Sequence, residues 1–200
     1  PSDVTKFPII DAFLSVPREK FVPDGKREAA YIGGNFQIGP SRIILEPRTL
    51  AKLLDALDIH NDELVLDVGS GLGYSSAVIS LIAQVVIAVE DDSSLASEAA
   101  EILSEIGMDN VVVQVAKLED GAPEHGPYDV IILQGGVEEI PTSILKQLKN
   151  GGRIGAIFIE KGLGTAKIGF KLNNTITWRY SFNAAAPILQ GFFKQKDFAL

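Results

Sequence analysis

The sequence predicts an α/β fold, namely a mostly parallel sheet with helices on both faces and an antiparallel C-terminal hairpin. Three observations carry this prediction. Apolar runs of strand length alternate with segments of helical periodicity over residues 64–159. One strand-to-helix turn contains three glycines, and the next predicted strand ends in an acid. Near the C-terminus two short runs flank Asn173-Asn174, which is typical of a hairpin turn.

The elements follow in a regular order. The predicted strands of the parallel part are 64–68, 85–90, 111–115, 129–133 and 152–159, and the hairpin runs are 166–172 and 175–180. The predicted helices between them are 74–83, 94–106 and 141–148. Pro141 begins the last helix because proline is favoured in a first turn, and an earlier helix begins at Glu46-Pro47 for the same reason.

Length and apolar content predict one domain over residues 1–200. Within it we expect an N-terminal substrate or lid segment at 1–60, a cofactor core at 61–160 and antiparallel strands at 161–200. The chain opens at Pro1 without a methionine or a signal peptide, so we expect that an upstream segment has been removed.

Composition excludes several kinds of site and partner. The chain has no cysteine, and His60 and His125 alone make no zinc pattern, so we expect no metal site. A net charge of −8 argues against nucleic-acid binding. No run of about 18 apolar residues indicates a membrane span, so we expect a soluble protein without a membrane partner. From the absence of cysteine we expect a cytoplasmic protein. The oligomeric state stays open.

The turn after the first core strand is the most informative motif. Gly69, Gly71 and Gly73 let the backbone approach a ligand, and the following helix offers free N–H groups and the positive end of its dipole. A nucleotide-type cofactor is therefore expected, although a plain tight turn is the alternative. NAD-binding proteins place a glycine where this chain has Tyr74, which disfavours a dinucleotide. With Asp67, the pattern resembles the first motif of Rossmann-like class I methyltransferases, which bind S-adenosylmethionine.

Two acids flank this motif. Glu90 ends the strand 85–90, about 20 residues past the glycines, where an acid can bind ribose hydroxyls. Alternatively, residues 90–93 form a solvated acidic turn that caps the next helix, and both roles can coexist if Asp92 or Ser93 is the N-cap. Asp67 either meets the ammonium group of the methionine moiety or caps the glycine loop.

The carboxyl ends of neighbouring parallel strands should share one crevice with the glycines. The predicted cofactor-binding residues are Asp67, Gly69, Ser70, Gly71, Gly73, Tyr74, Ser75, Glu90, Asp91, Lys117, Leu118 and Gln134.

Blocks outside the glycine motif resemble the protein-L-isoaspartate O-methyltransferase family over roughly residues 9–160. The most specific block is Val16-Pro17-Arg18-Glu19-Lys20-Phe21-Val22-Pro23. Further matching blocks are Ala30-Tyr31, Glu46-Pro47 with Leu50-Ala51 and Leu53-Leu54, Pro127-Tyr128-Asp129-Val130-Ile131-Ile132, Glu139-Ile140-Pro141, Leu145, Leu148 and Gly151-Gly152. The resemblance implies methyl transfer from S-adenosylmethionine to the carboxylate of an isoaspartyl residue in a peptide or protein, with S-adenosylhomocysteine as product.

The chain departs from that family at two places. Leu45 stands where the family has a serine, and leucine cannot donate a hydrogen bond. The other candidate catalytic residues are Ser41, the nearest hydroxyl, and Glu46, which either faces the cofactor's cation or only interacts with the helix dipole. Lys117 lies in the segment where the family has Gly-Asp-Gly, so adenine recognition would rest on backbone groups, Glu119 or Asp120.

Loss of the serine does not exclude the chemistry. A carboxylate with a pKa near 4 is already ionised at neutral pH and needs no general base. Alignment of the reacting groups then supplies most of the catalysis, so we expect methyltransferase activity with an altered substrate preference. The apolar residues Phe36, Ile43, Ile44 and Leu45 either complete the core or form a hydrophobic lid over the methyl group.

Three functions stay open: a carboxyl methyltransferase, a cofactor-binding module without catalysis, and a disfavoured dinucleotide binder. Other methyltransferase classes are excluded by the residues. The segment Gln134-Gly135-Gly136-Val137 replaces the Asn/Asp-Pro-Pro-aromatic motif of N-methyltransferases, and cytosine C5 enzymes need a cysteine. A metal-dependent catechol enzyme would need acids near the sulfonium that the residues after Leu133 do not offer.

Overall fold

The fold is seen in a computed structural model that describes residues 3–23, 25–39 and 42–194. The helices are α1 (Phe7–Ser15), α2 (Pro47–Leu57), α3 (Tyr74–Ser80), α4 (Ser93–Glu105) and α5 (Thr142–Lys146). The strands are β1 (Phe36–Gly39), β2 (Arg42–Ile44), β3 (Leu64–Val68), β4 (Val85–Glu90), β5 (Val111–Val115), β6 (Tyr128–Val137), β7 (Leu148–Glu160), β8 (Leu163–Leu172) and β9 (Thr175–Asn183).

A seven-stranded sheet in the order β5-β4-β3-β6-β7-β8-β9 forms the centre of the molecule. Strands β3 to β7 pair in parallel, and β8 and β9 add an antiparallel hairpin. The α/β class and the C-terminal hairpin are therefore confirmed. Strands β1 and β2 form a separate antiparallel hairpin before α2.

Each face of the sheet has its own apolar core. Helices α1, α2, α3 and α4 cover one face, where Leu53, Leu54 and Leu57 of α2 are fully buried. The other face is covered by the short α5 and by loop and C-terminal residues, among them Leu118, Leu189 and Phe192. Ile188, Leu189 and Phe192 after β9 therefore lie on the same side of the sheet as α5, whereas Ala184 and Ala186 pack against the first core.

The predicted ends of several elements are wrong. Strand β7 begins at Leu148 rather than at 152, and β8 and β9 are each three residues longer than predicted. Helix α3 stops at Ser80 rather than at 83, because Leu81 and Ile82 make the shorter hydrogen bonds of a closing turn. Helix α5 covers only 142–146, since Pro141 has an extended backbone and Leu148 already pairs with Tyr128 in the sheet. Strand β6 continues from 133 to Val137 because its pairing with β7 resumes after a register shift.

Helix α1 and the β1–β2 hairpin are not among the predicted elements. Both are too short for a strong periodic signal, although Pro8 in the first turn of α1 is a favourable start. Among the described residues, no helix has both the length and the apolar character needed to cross a membrane.

Candidate functional site

The candidate site lies where β3, β4 and β6 end side by side. These three parallel strands are neighbours in the sheet, so the residues that follow them meet at one edge. Asp67, Glu90 and Gln134 lie at or near these strand ends, and the glycine loop joins β3 to α3. The structure thus brings the main sequence-predicted residues together.

All three motif glycines have a backbone conformation that disfavours other residues. The φ angles are 77° at Gly69, 57° at Gly71 and 89° at Gly73. Gly73 is the residue before α3, and a Cβ there would lie 3.1 Å from the Leu103 side chain of α4. The third glycine therefore serves close packing of the loop on α4.

Glu90 joins the glycine loop to the end of β4. Its side chain is fully buried, and its Oε2 accepts a hydrogen bond from the Gly71 N–H at 2.8 Å. Its Oε1 accepts from the backbone N–H groups of Asp91 and Asp92 at 3.0 and 3.1 Å. The side chain of Asp92 is the N-cap of α4, accepting from the backbone of Ser94 and Leu95. Because Asp92 rather than Glu90 caps α4, the Glu90 carboxylate can bond to the glycine loop.

Arg42 is a site residue that the sequence analysis missed. From β2, its Nε lies 2.9 and 3.1 Å from the two oxygens of Glu90, and its Nη2 donates to Asp91. Burial raises the pKa of Glu90, a contact with Asp91 adds to this, and the Arg42 charge opposes it. In the sequence, Arg42 stands out only as a charged residue beside two isoleucines. Nothing in the sequence links position 42 to position 90, so the ion pair could not be predicted.

Asp67 is fully buried at the end of β3. Its Oδ2 accepts from Ser75 Oγ at 2.7 Å and Ser76 Oγ at 2.6 Å, and its Oδ1 accepts from Gln134 Nε2 at 2.7 Å. Burial raises the pKa of Asp67, and the three hydrogen bonds oppose this. The carboxylate thereby ties β3 to the start of α3 and to β6. Its expected contact with the cofactor stays a prediction.

Leu45 faces the glycine loop across a small void. The void has a volume of about 10 Å³. It is lined by Ile43, Ile44, Leu45, Leu50, Ser70, Tyr74, Ser75 and Gln134. Ser70 Oγ is buried there and has no hydrogen-bond partner among the described residues. The position of the family serine therefore lies beside an unpaired hydroxyl of the loop.

Arg18, from the most specific sequence block, holds this region in place. Its guanidinium is buried, with Nε donating to Ala30 O at 2.9 Å and Nη2 donating to Leu45 O at 3.1 Å. The same group lies 4.5 Å from the centre of the Tyr74 ring. Arg18 thus fixes the Leu45 backbone relative to the start of α3.

Glu46 is the residue before α2, but its side chain bonds no backbone N–H of that helix. It accepts instead from Thr49 Oγ1 at 3.3 Å, while Asn35 Oδ1 accepts from the Glu46 N–H at 2.9 Å. This position suits the interaction with the helix dipole. Ser41 lies outside the described residues.

The remaining predicted residues occupy different environments. Lys117 and Asp91 are exposed, whereas Leu118 is fully buried in the second core. Ile43, Ile44 and Leu45 belong to the first core, and Phe36 packs against it. Among the described residues, no group of three or more histidine or acidic side chains is arranged to hold a metal ion.

A parallel sheet with a glycine loop after β3 and an acid at the end of β4 defines the class I methyltransferase fold. A solved protein-L-isoaspartate O-methyltransferase agrees, with a TM-score of 0.84 and 25% identity over 93% of this chain and 62% of its own. A Plasmodium falciparum structure, described as a putative protein-L-isoaspartate O-methyltransferase in complex with S-adenosyl-L-homocysteine, has the same fold. Its TM-score is 0.81 at 19% identity, over 94% of this chain and 93% of its own.

Sequence comparison gives the family. The sequence model of protein-L-isoaspartate(D-aspartate) O-methyltransferase matches residues 3–166. A relative from Pelotomaculum thermopropionicum is 38% identical over 73% of this chain and 64% of its own length. Another, from Roseiflexus castenholzii, is 34% identical over 84% of this chain and 75% of its own. Both are named protein-L-isoaspartate O-methyltransferase. The chain belongs to this family, and it spans less than two thirds of the length of the first of these relatives.

The buried Asp67 predicts a pH-dependent stability. Because folding raises its pKa above the ordinary 3.8, the folded state loses stability as the pH rises through the folded-state value. Asp67→Asn removes this charge but keeps an oxygen for Gln134. The free energy of unfolding of the variant should therefore be close to that of the wild type near pH 4 and exceed it increasingly at higher pH.

Denaturant unfolding between about pH 4 and 8 measures this difference. Asp62→Asn, on an exposed turn, is the control for removing a carboxylate. A variant that loses stability relative to the wild type as the pH rises would show that the three donors favour the ionised form.

Proposed function

We propose that the chain is an S-adenosylmethionine-dependent methyltransferase that acts on the carboxylate of an isoaspartyl residue in a peptide or protein. One observation carries the proposal: the buried Glu90 carboxylate is bonded to the Gly71 N–H, at the edge where β3 and β4 end. Ribose hydroxyls are recognised by an acid in this position of a doubly wound fold.

The residues at this edge suit the cofactor. Glu90 supplies the acceptor for ribose, and the three left-handed glycines bring backbone close to a ligand. Ser70 Oγ is a buried polar atom whose hydrogen bond is not made within the described residues, so a ligand group can supply it. Family membership supports the same cofactor, with S-adenosylhomocysteine as product.

When bound, S-adenosylmethionine supplies a methyl group activated by its sulfonium. The chain's residues then have to hold an ionised carboxylate in line with that group, which requires no general base. Arg18 fixes the backbone of Leu45 next to the loop, and Tyr74 closes the other side of the void. Leu45 offers shape but no hydrogen bond to the acceptor.

The expected partner is a peptide or protein carboxylate. The relatives' names support this substrate class, and the net charge of −8 supports a partner other than nucleic acid. We propose the cytoplasm as the site of action on the grounds given by composition, namely the absence of cysteine.

Replacing Glu90 tests cofactor binding. Glu90→Gln removes the charge that accepts ribose hydroxyls, and a hydrogen bond to a charged group contributes about 1.5–3 kcal/mol. The dissociation constant for S-adenosylhomocysteine, measured by isothermal titration calorimetry, should rise at least about tenfold.

Glu98→Gln on the exposed side of α4 is the matched control and should leave the affinity unchanged. Thermal unfolding of both variants confirms that each is folded. Equal affinities for Glu90→Gln and the wild type would contradict the assignment of Glu90.

Restoring the family residue tests the substrate. Leu45→Ser returns a hydroxyl next to the glycine loop, and one such hydrogen bond is worth about 1–3 kcal/mol, or one to two decades in rate. Methylation of an isoaspartyl peptide, followed with labelled S-adenosylmethionine, should rise by that factor. Leu45→Ala controls for the change in volume. If serine gives no more activity than alanine, the loop serves a different carboxylate.

A further inference from the structure

We propose that residues 185–192, here called the strap, are an autoinhibitory element. In this conformation Leu189 of the strap and Arg42 of β2 occupy the cofactor cleft, and the cofactor binds only when the strap withdraws. The inference rests on the proposed function, because it concerns how that same site is regulated.

Leu189 lies directly on the glycine loop. A Cβ on Gly69 would lie 3.2 Å from its Cδ2, and a Cβ on Gly135 would lie 2.6 Å from the same atom. Gly69 follows β3, and Gly135 lies near the end of β6. The Leu189 side chain therefore covers the edge where these two strands end. Leu189 is itself 1% exposed. An apolar side chain of the chain therefore occupies the place where the loop would meet a ligand.

The strap is held along the edge of β6 by backbone hydrogen bonds. Gly136 N–H donates to Pro187 O at 2.7 Å, and Leu189 N–H donates to Gly136 O at 2.9 Å. Further along, Glu138 N–H donates to Phe192 O at 2.9 Å. At its other end, Asn35 Nδ2 donates to Ala185 O at 2.7 Å. The strap thus bonds to β6 and buries Leu189 and Phe192 in the second core, but it forms no helix or strand of its own.

The β1–β2 hairpin closes the cleft from the other side. A Cβ on Gly71 would lie only 2.6 Å from Cδ1 of Ile38, so this side chain contacts the middle of the loop. Arg42 reaches both oxygens of Glu90, which are the atoms that ribose hydroxyls would need. The acceptor of the proposed site is therefore already paired with a cation of the same chain.

The void beside Leu45 cannot hold the cofactor. It measures about 10 Å³ and borders neither Glu90 nor Leu189, whereas sites for ligands of this kind usually measure about 300–1,000 Å³. At the glycines and the ribose acid themselves, Arg42 contacts Glu90, and Ile38 and Leu189 contact the loop. Binding at that acid must therefore displace these side chains.

Withdrawal of the strap has a thermodynamic cost that lowers the apparent affinity. If only a fraction of molecules has an open cleft, the measured dissociation constant is the intrinsic one divided by that fraction. A variant that removes the Leu189 side chain but leaves the residues of the loop and Glu90 unchanged should therefore bind the cofactor product more tightly. If Leu189 is instead a permanent part of the core, its truncation should not tighten binding of the cofactor product.

Calorimetry with S-adenosylhomocysteine separates the two roles of Leu189. Leu189→Ala removes the plugging side chain, and its dissociation constant should be at least about tenfold lower than that of the wild type. Phe193→Ala is the matched control, because it truncates a side chain next to the strap that is 53% exposed. It should bind as the wild type does. Equal or weaker binding by folded Leu189→Ala overturns the proposal.

A labelling experiment detects movement of the strap without relying on affinity. The natural chain has no cysteine, so Leu189→Cys carries one thiol, which is protected when the strap is docked. Saturating S-adenosylhomocysteine should accelerate its reaction with a thiol reagent at least about tenfold. Phe193→Cys should react at the same rate with and without it. Unchanged or slower labelling of the Leu189→Cys variant would show that the strap does not withdraw on binding, and it would overturn the proposal.

These results distinguish failure of the strap from failure of the proposed function. The proposal about the strap alone is overturned if the wild type gives heat of binding but Leu189→Ala has no effect and the labelling rate does not change. No heat from either the wild type or folded Leu189→Ala overturns both, because the opened cleft would then bind no cofactor product.

Discussion

The hydrogen bond from the Gly71 N–H to Glu90 is the contact on which the site depends. It requires the left-handed glycine loop, since φ at Gly71 is 57°, and it requires β3 and β4 to be parallel neighbours. The order of strands in the sheet makes β3 and β4 neighbours, and the close packing of Ala99 and Leu103 of α4 on Gly73 supports the left-handed loop. The same contact positions the carboxylate that the proposed cofactor needs.

Two buried carboxylates support this edge in different ways. Asp67 is surrounded by two serine hydroxyls and a glutamine amide, so it connects β3, α3 and β6 through neutral donors. Glu90 faces a guanidinium and backbone N–H groups. Asp67 therefore shapes the loop, whereas Glu90 holds a charge partner that can be exchanged for a ligand. Regulation by displacement is possible at Glu90 because Arg42 comes from a hairpin outside the main sheet.

The sequence predicted the parts of the fold whose signals are local. Apolar runs marked the strands of the sheet, and Gly69, Gly71 and Gly73 marked the loop, because strand periodicity and glycine spacing are read from adjacent residues. An N-cap of α4 at Asp92 or Ser93 was predicted for the same reason, and the cap is Asp92. The ends of α5 and β6 were not, because they depend on pairing between strands that are distant in the chain.

Long-range contacts at the site could not be predicted for the same reason. Arg42 meets Glu90 across 48 positions of sequence, and Leu189 reaches Gly69 across a still greater separation. Neither residue belongs to a local motif. Leu189 nevertheless lies against Gly69 of the glycine loop. Charge pairing and packing between remote segments therefore decide whether the predicted cleft is open.

The central claim is that the glycine loop and the end of β4 form the cofactor site, and amide NMR tests it most directly. On titration with S-adenosylhomocysteine, the backbone resonances of Gly69, Gly71 and Glu90 should shift and saturate together. Those of Gly107 and Gly151, where an added Cβ would meet nothing within 4 Å, should stay unchanged. Saturable binding that leaves Gly71 and Glu90 unshifted would contradict the account.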